Sequence, residues 1–127
     1  MKLLIVEDNA SMRRFIKSIV SDLADEIEEC GDGADVLAAY EKHMPEWVLM
    51  DVKMPRTDGI TASRLILAQY PQAKICIVTE CADAKTRQAA SDAGVRDYVL
   101  KDNLFNIRSI ISKENEKTNL TFLVKPT

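Results

Sequence analysis

Three unbroken apolar runs, Leu3-Leu4-Ile5-Val6, Trp47-Val48-Leu49-Met50 and Ile75-Cys76-Ile77-Val78, each stop at a polar group. Runs without alternation are what strands covered on both faces look like, so each predicts a central strand of a parallel sheet. Two more mixed runs, Glu26–Cys30 and Asp97–Leu100, carry the polar residues expected of edge strands. Between them, Met12, Phe15, Ile16, Ile19, Val20 and Leu23 fall at helical spacing, and Ile60, Leu65, Ile66 and Ala68 to Tyr70 outline a second apolar stripe. Start signals accompany the helices: Asn9 or Ser11 for the first, Asp32 for the second, Thr57 or Asp58 for the third and Asp83 for the fourth. Strand and helix thus alternate five times, which parallel strands joined by right-handed crossovers bury most economically. The pattern predicts a doubly wound three-layer α/β sandwich around a five-stranded parallel sheet.

With 127 residues, 46% of them hydrophobic, the chain has the size and balance of one domain with one core. The formal charge is -3 with no dense basic run, so direct nucleic-acid binding is not expected. No apolar stretch approaches the ~20 residues needed to span a bilayer, and no signal peptide is visible, so a cytoplasmic protein without membrane contact is expected. Three cysteines without a C-x-x-C pair, and His43 as the single histidine, argue against a disulfide framework and a zinc site. Cys30, Cys76 and Cys81 read as small apolar residues, with Cys81 expected near the pocket. From Lys113 the chain turns polar before an apolar patch at Leu120 to Val124, which sets residues 1–112 as the domain and 113–127 as a tail or linker remnant.

Ligands of such folds sit beyond the carboxyl ends of the strands. Glu7-Asp8 follow the first strand, Asp51 the third, Thr79 the fourth and Lys101 the fifth. Two carboxylates ~4 Å apart repel by about 4 kcal/mol at an effective dielectric near 20, so this cluster needs a cation. Lys101 supplies part of it, and the remainder suits a hard divalent ion, Mg²⁺ being the usual one where few carboxylates meet a phosphate. With such an ion, Asp51 can attack phosphorus while Lys101 neutralises and Thr79 hydrogen-bonds the transferring group. No histidine stands at a strand end, no G-x-S-x-G is present, and Gly31-Asp32-Gly33 is not a Walker loop, so triad chemistry and nucleotide hydrolysis lack candidates.

Four segments, Leu4-Ile5-Val6-Glu7-Asp8-Asn9, Asp51-Val52-Lys53-Met54-Pro55-Arg56-Thr57-Asp58-Gly59, Val78-Thr79 and Tyr98-Val99-Leu100-Lys101, resemble the receiver domain of two-component response regulators, over Lys2 to about Ile111. The resemblance implies a flavodoxin-like sheet of order 2-1-3-4-5. It implies that Asp51 is the phosphoacceptor, and that Glu7, Asp8, Asp51 and the backbone carbonyl of Lys53 hold Mg²⁺. Thr79 would be the switch hydroxyl, Tyr98 the switch aromatic, and Lys101 the residue that pairs with the phosphoryl group. It further implies a sensor histidine kinase or phosphotransfer protein as donor, a downstream protein or effector domain as target, and a switching face that binds a partner or a second copy. The chain would not be an enzyme in its own right, catalysing only its own phosphoryl transfer and hydrolysis. Many receivers carry Pro after the lysine, where this sequence has Asp102.

Two other classes fit less well. A haloacid-dehalogenase-type phosphatase needs a second Asp two residues after the nucleophile, and that position is Lys53. An FMN carrier of flavodoxin type needs a Ser/Thr/Gly-rich loop where Glu7-Asp8-Asn9 stand. Lys53 and Cys81, expected to flank the approach of water to a phosphorylated Asp51, are poor at orienting that water, so a long-lived phosphorylated form is expected.

Overall fold

The computed structural model describes residues 1–112, so the expected tail, 113–127, lies outside the described residues. Strands β1 (Lys2–Val6), β2 (Glu26–Cys30), β3 (Trp47–Met50), β4 (Ile75–Thr79) and β5 (Asp97–Leu100) alternate with helices α1 (Ala10–Val20), α2 (Val36–His43), α3 (Gly59–Gln69) and α4 (Ala84–Ala93). A fifth helix, α5, occupies 106–112. Every strand pairing is parallel and the sheet order is β2-β1-β3-β4-β5, as the resemblance implied.

The apolar runs are unbroken because successive side chains enter different layers. Leu3, Ile5, Trp47, Leu49, Cys76, Val78 and Val99 pack with Ile16, Ile19 and Val20 of α1 and Ile107 and Ile111 of α5. Their strand neighbours Leu4, Val6, Val48, Met50, Ile75 and Ile77 pack with Val36 and Tyr40 of α2, Ile60, Ala62 and Ile66 of α3 and Ala90 of α4. Each large aliphatic side chain so buried contributes about 1.5–3 kcal/mol, which makes this two-sided burial the main driving force for the sheet. The edge strand β2 is only partly covered, and its Glu29 pairs outward with Arg13 and Lys17 of α1.

Helix entry follows side-chain capping of orphan backbone donors. Asn9, not Ser11, accepts from the Met12 amide at 2.9 Å, and Asp58, not Thr57, accepts from the Ile60 and Thr61 amides, each at 2.9 Å. Asp83 caps α4 through the Thr86 amide at 2.9 Å. Asp32 caps a short 3₁₀ turn, Gly33–Asp35, that precedes α2 instead of capping α2 itself. The two expected apolar stripes are narrower than their sequence suggests, because Phe15 and Leu65 are about half exposed (51% and 48%). Ile16, Ile19 and Val20 already fill the width that the sheet offers to α1.

The long loop from β3 to α3 closes by a backbone contact, the Gly59 amide donating to the Val52 carbonyl at 2.8 Å. A Cβ at Gly59 would stand 1.8 Å from the Asp51 carbonyl oxygen, a distance no side chain tolerates. Gly59→Ala is therefore expected to destabilise the fold by about 3 kcal/mol, as overpacking of a rigid contact does, measured as a shift of the urea midpoint at unchanged slope.

Candidate functional site

The carboxyl ends of β1, β3, β4 and β5 meet at one edge of the sheet, and the residues that follow them form a cleft of ≈ 260 Å³ lined by Glu7, Asp8, Asn9, Asp51, Lys53, Thr79, Glu80 and Lys101. The parallel register drives this convergence: Val6 pairs with Met50, so Glu7 and Asp51 emerge side by side, while β4 runs on to Thr79, which pairs with Leu100 just before Lys101. Glu7 (1% exposed), Asp51 (5%) and Thr79 (1%) are buried, while Asp8 is exposed.

Backbone contacts fix the acidic residues before any side chain acts. The Glu7 amide donates to the Cys30 carbonyl at 3.0 Å and the Asp51 amide to the Val6 carbonyl at 2.9 Å. The Arg13 guanidinium, held by Glu29, donates to the Glu7 carbonyl at 2.6 Å. Asp51 Oδ1 accepts from the Val52 amide at 2.9 Å and lies 3.4 Å from Lys101 Nζ. Lys101 Nζ also stands 2.7 Å from Glu7 Oε1. Burial works to lower the pKa of this ammonium, but close contact with Glu7 and the charge of Asp51 outweigh it and hold the pKa above its ordinary value.

One ammonium does not neutralise the site. Carboxylate oxygens of Glu7, Asp8 and Asp51 lie within 4.8 Å of one another, and Glu7 Oε1 is sealed from solvent with Lys101 Nζ at 2.7 Å beside it. An all-oxygen set of three carboxylates, one of them open to water, is the donor chemistry that Mg²⁺ prefers, and the residues present fit that ion.

Thr79 Oγ1 accepts from the Cys81 amide at 3.2 Å, and the Tyr98 hydroxyl donates to the carbonyl of the same Cys81 at 2.6 Å. Half-buried Tyr98 lies beneath the Arg87 guanidinium, 4.6 Å from its ring centroid. Tyr98 is thus tied to the loop that follows Thr79. All the residues expected at the strand ends come together; Cys81 does not line the cleft, because its backbone is engaged on both sides and Glu80 takes the rim instead. Asn9 and Glu80 went unread as lining residues, although each directly follows a residue that was singled out. A second groove of ≈ 360 Å³, lined by Asn9, Ser11, Met12, Phe15, Glu80 and Lys101, adjoins the cleft and accounts for the exposed Phe15.

A doubly wound sheet whose switch edge carries an acidic trio, two of its members buried, beside a lysine and a threonine defines an α/β domain with a cation-compatible cleft at that edge. A family model described as the response regulator receiver domain matches residues 3–121, and the chain belongs to that family, the receivers of two-component systems. It is 36% identical over 101 residues to the chemotaxis protein CheY of Bacillus subtilis (strain 168), covering 79% of this chain and 84% of that one. It is 37% identical over 111 residues to the transcriptional regulatory protein PdtaR of Mycobacterium tuberculosis (strain ATCC 25618 / H37Rv), covering 87% of this chain and 53% of that longer protein. The fold superposes with TM-score 0.84 on a CheY-like receiver domain protein from Methanospirillum hungatei JF-1, at 23% identity over 93% of this chain and 95% of that one. Nothing in these comparisons favours the phosphatase or flavin readings. Among the described residues no helix is long and apolar enough to cross a membrane.

The raised Lys101 pKa sets a pH dependence. Its stabilising contribution is complete below the ordinary value of 10.5 and is lost as the pH rises through the higher folded-state value. In chelator, the stability difference between wild type and Lys101→Met is expected to stay constant from neutral pH to about 10.5 and to shrink above it, read by urea denaturation at each pH.

Proposed function

We propose that this receiver accepts a phosphoryl group on Asp51 from the phosphohistidine of a sensor kinase or phosphotransfer protein, and that the modification reshapes the α4–β5–α5 face for a downstream partner or a second copy. The observation that carries the reading is the contact of buried Asp51 and Glu7 with one Lys101 ammonium inside an under-neutralised acidic cleft. The Val52 amide and Lys101 both engage Oδ1 of Asp51, which leaves Oδ2 as the nucleophile. As the O–P bond forms, the N–P bond of the phosphohistidine breaks and the imidazole leaves with its electron pair. Lys101 then shifts part of its charge from Glu7 to the new phosphoryl oxygens. Glu7, Asp8, Asp51 and the Lys53 carbonyl would hold Mg²⁺, which when bound supplies charge neutralisation of the transferring oxygens. The apolar groove around Met12 and Phe15, which shares Asn9, Glu80 and Lys101 with the cleft, offers a donor protein a seat beside the acceptor.

Transmission starts at Thr79. Its hydroxyl turns from the Cys81 amide to the phosphoryl oxygens, and the freed Cys81 peptide moves the carbonyl on which Tyr98 rests. A two-state loop biased by one new charge is the general form of such switches. Incubation of wild type with a small phosphodonor and Mg²⁺ is expected to add one phosphoryl group by intact mass, Asp51→Asn to add none, and Asp8→Asn to bind Mg²⁺ more weakly by calorimetry. An adduct undiminished in Asp51→Asn would remove the reading.

Lifetime is set by access of water to the phosphorus. Lys53 lines the cleft and is exposed, so its ammonium pairs with the phosphoryl oxygens across the path of an in-line water. Exposed Glu80 also lines the cleft, a carboxylate whose neighbouring Cys81 is engaged through its backbone. Replacing Lys53 by Asn is expected to speed dephosphorylation by roughly tenfold, the effect of about 1.4 kcal/mol on the barrier, in a time course of the phosphorylated fraction.

A further inference from the structure

The residues from Asp51 to Asp58 form no regular element, yet they carry the acceptor and Lys53. The loop is pinned at its ends by the Asp51 amide on Val6 and the Gly59 amide on Val52. Its middle is held from outside. Arg56 Nε donates to Asp32 Oδ2 at 2.7 Å, and a second guanidinium nitrogen of Arg56 donates to Asp35 Oδ2 at 3.2 Å. The 3₁₀ turn that supplies both carboxylates is itself closed: Asp32 Oδ1 accepts from the Ala34 amide at 2.9 Å and the Asp32 carbonyl from the Asp35 amide at 3.1 Å. Beside this grip the two loops touch backbone to backbone, since a Cβ at Gly33 would stand 2.0 Å from the Thr57 carbonyl oxygen.

We propose that Arg56, gripped by Asp32 and Asp35, is a positioning residue of the metal and phosphoryl site, holding the loop after β3 in the form that binds Mg²⁺; this rests on the assignment of that site made above. Arg56 lines no part of the cleft, and its side chain is 64% exposed. An exposed ion pair adds little to global stability. Its effect falls instead on the loop, which without the grip must lose its freedom when the ion binds. The sign of the outcome separates this role from a simple field effect. Deleting a positive charge near a cation site strengthens cation binding through Coulomb attraction, whereas loosening a loop that carries ligands weakens it.

Calorimetric titration of the full chain with Mg²⁺ at low salt tests the proposal in wild type, Arg56→Gln, Arg56→Lys and Asp8→Asn. Arg56→Gln is expected to bind Mg²⁺ roughly three- to five-fold more weakly, the scale set by an exposed pair, with an unchanged urea midpoint and faster amide exchange confined to 52–58. Arg56→Lys, which keeps the charge but not the fork, is expected to fall between the two. At 0.5 M NaCl, where the Debye length shrinks to roughly 4 Å, the difference between wild type and Arg56→Gln is expected to narrow. Equal or tighter Mg²⁺ binding in Arg56→Gln, beside a clear loss in Asp8→Asn, overturns the positioning role alone. Absence of Mg²⁺ binding in wild type, or equal binding in Asp8→Asn, overturns the assignment of the metal site and the role of Arg56 with it.

Discussion

Glu7, Asp8 and Asp51 bring carboxylate oxygens within 4.8 Å of one another, two of the three side chains are buried, and one ammonium, Lys101, stands among them. Like charges so placed repel strongly in a medium less polar than water, and the fold tolerates them because its other interactions fix the backbone around them. Two apolar layers hold the sheet, the parallel register aligns the strand ends, and backbone hydrogen bonds from Glu7 and Asp51 reach across to Cys30 and Val6. The repulsion that remains makes this edge a set of oxygen donors compatible with a hard cation.

The same edge is connected to the surface by a short path. A single residue, Cys81, gives its amide to Thr79 and its carbonyl to Tyr98, so that the two peptide units flanking one residue link a cleft-lining hydroxyl to the aromatic on β5. Arg87 of α4 lies over the Tyr98 ring and extends the path to the helix face. Coupling of this kind works through discrete rearrangement of a loop and needs no deformation of the sheet, whose close packing resists it.

Much of this was legible in the sequence, for identifiable reasons. Unbroken runs such as Leu3–Val6 and Ile75–Val78 announce strands because burial on both faces removes the polar alternation, and the polar residue that ends each run marks the functional edge. The strand order came from resemblance, since periodicity carries no information about which strand lies beside which. Phe15 and Leu65 lie on the apolar stripes yet stand half exposed, because helical spacing defines an apolar arc without its width, which depends on how much of the helix the sheet covers. The contacts of Arg13 and Arg56 carried no signal: Glu7 and Glu29 become neighbours of Arg13 only when α1 packs beside β1 and β2, and Asp32 and Asp35 meet Arg56 only when two loops fold together. The Cys81 bridge was hidden for the same reason, as its contacts are made by backbone atoms that every residue has.

In the proposed reaction the acidic edge places a phosphoryl group on Asp51 and on no other carboxylate. Borohydride reduction of the protein after incubation with a small phosphodonor, followed by peptide mass mapping, reads this directly, because reduction converts an aspartyl phosphate to homoserine and leaves free carboxylates unchanged. Homoserine is expected at position 51, with Mg²⁺ present and not in chelator. Homoserine at Asp8 or elsewhere, or the same yield at position 51 with and without the metal, would contradict it.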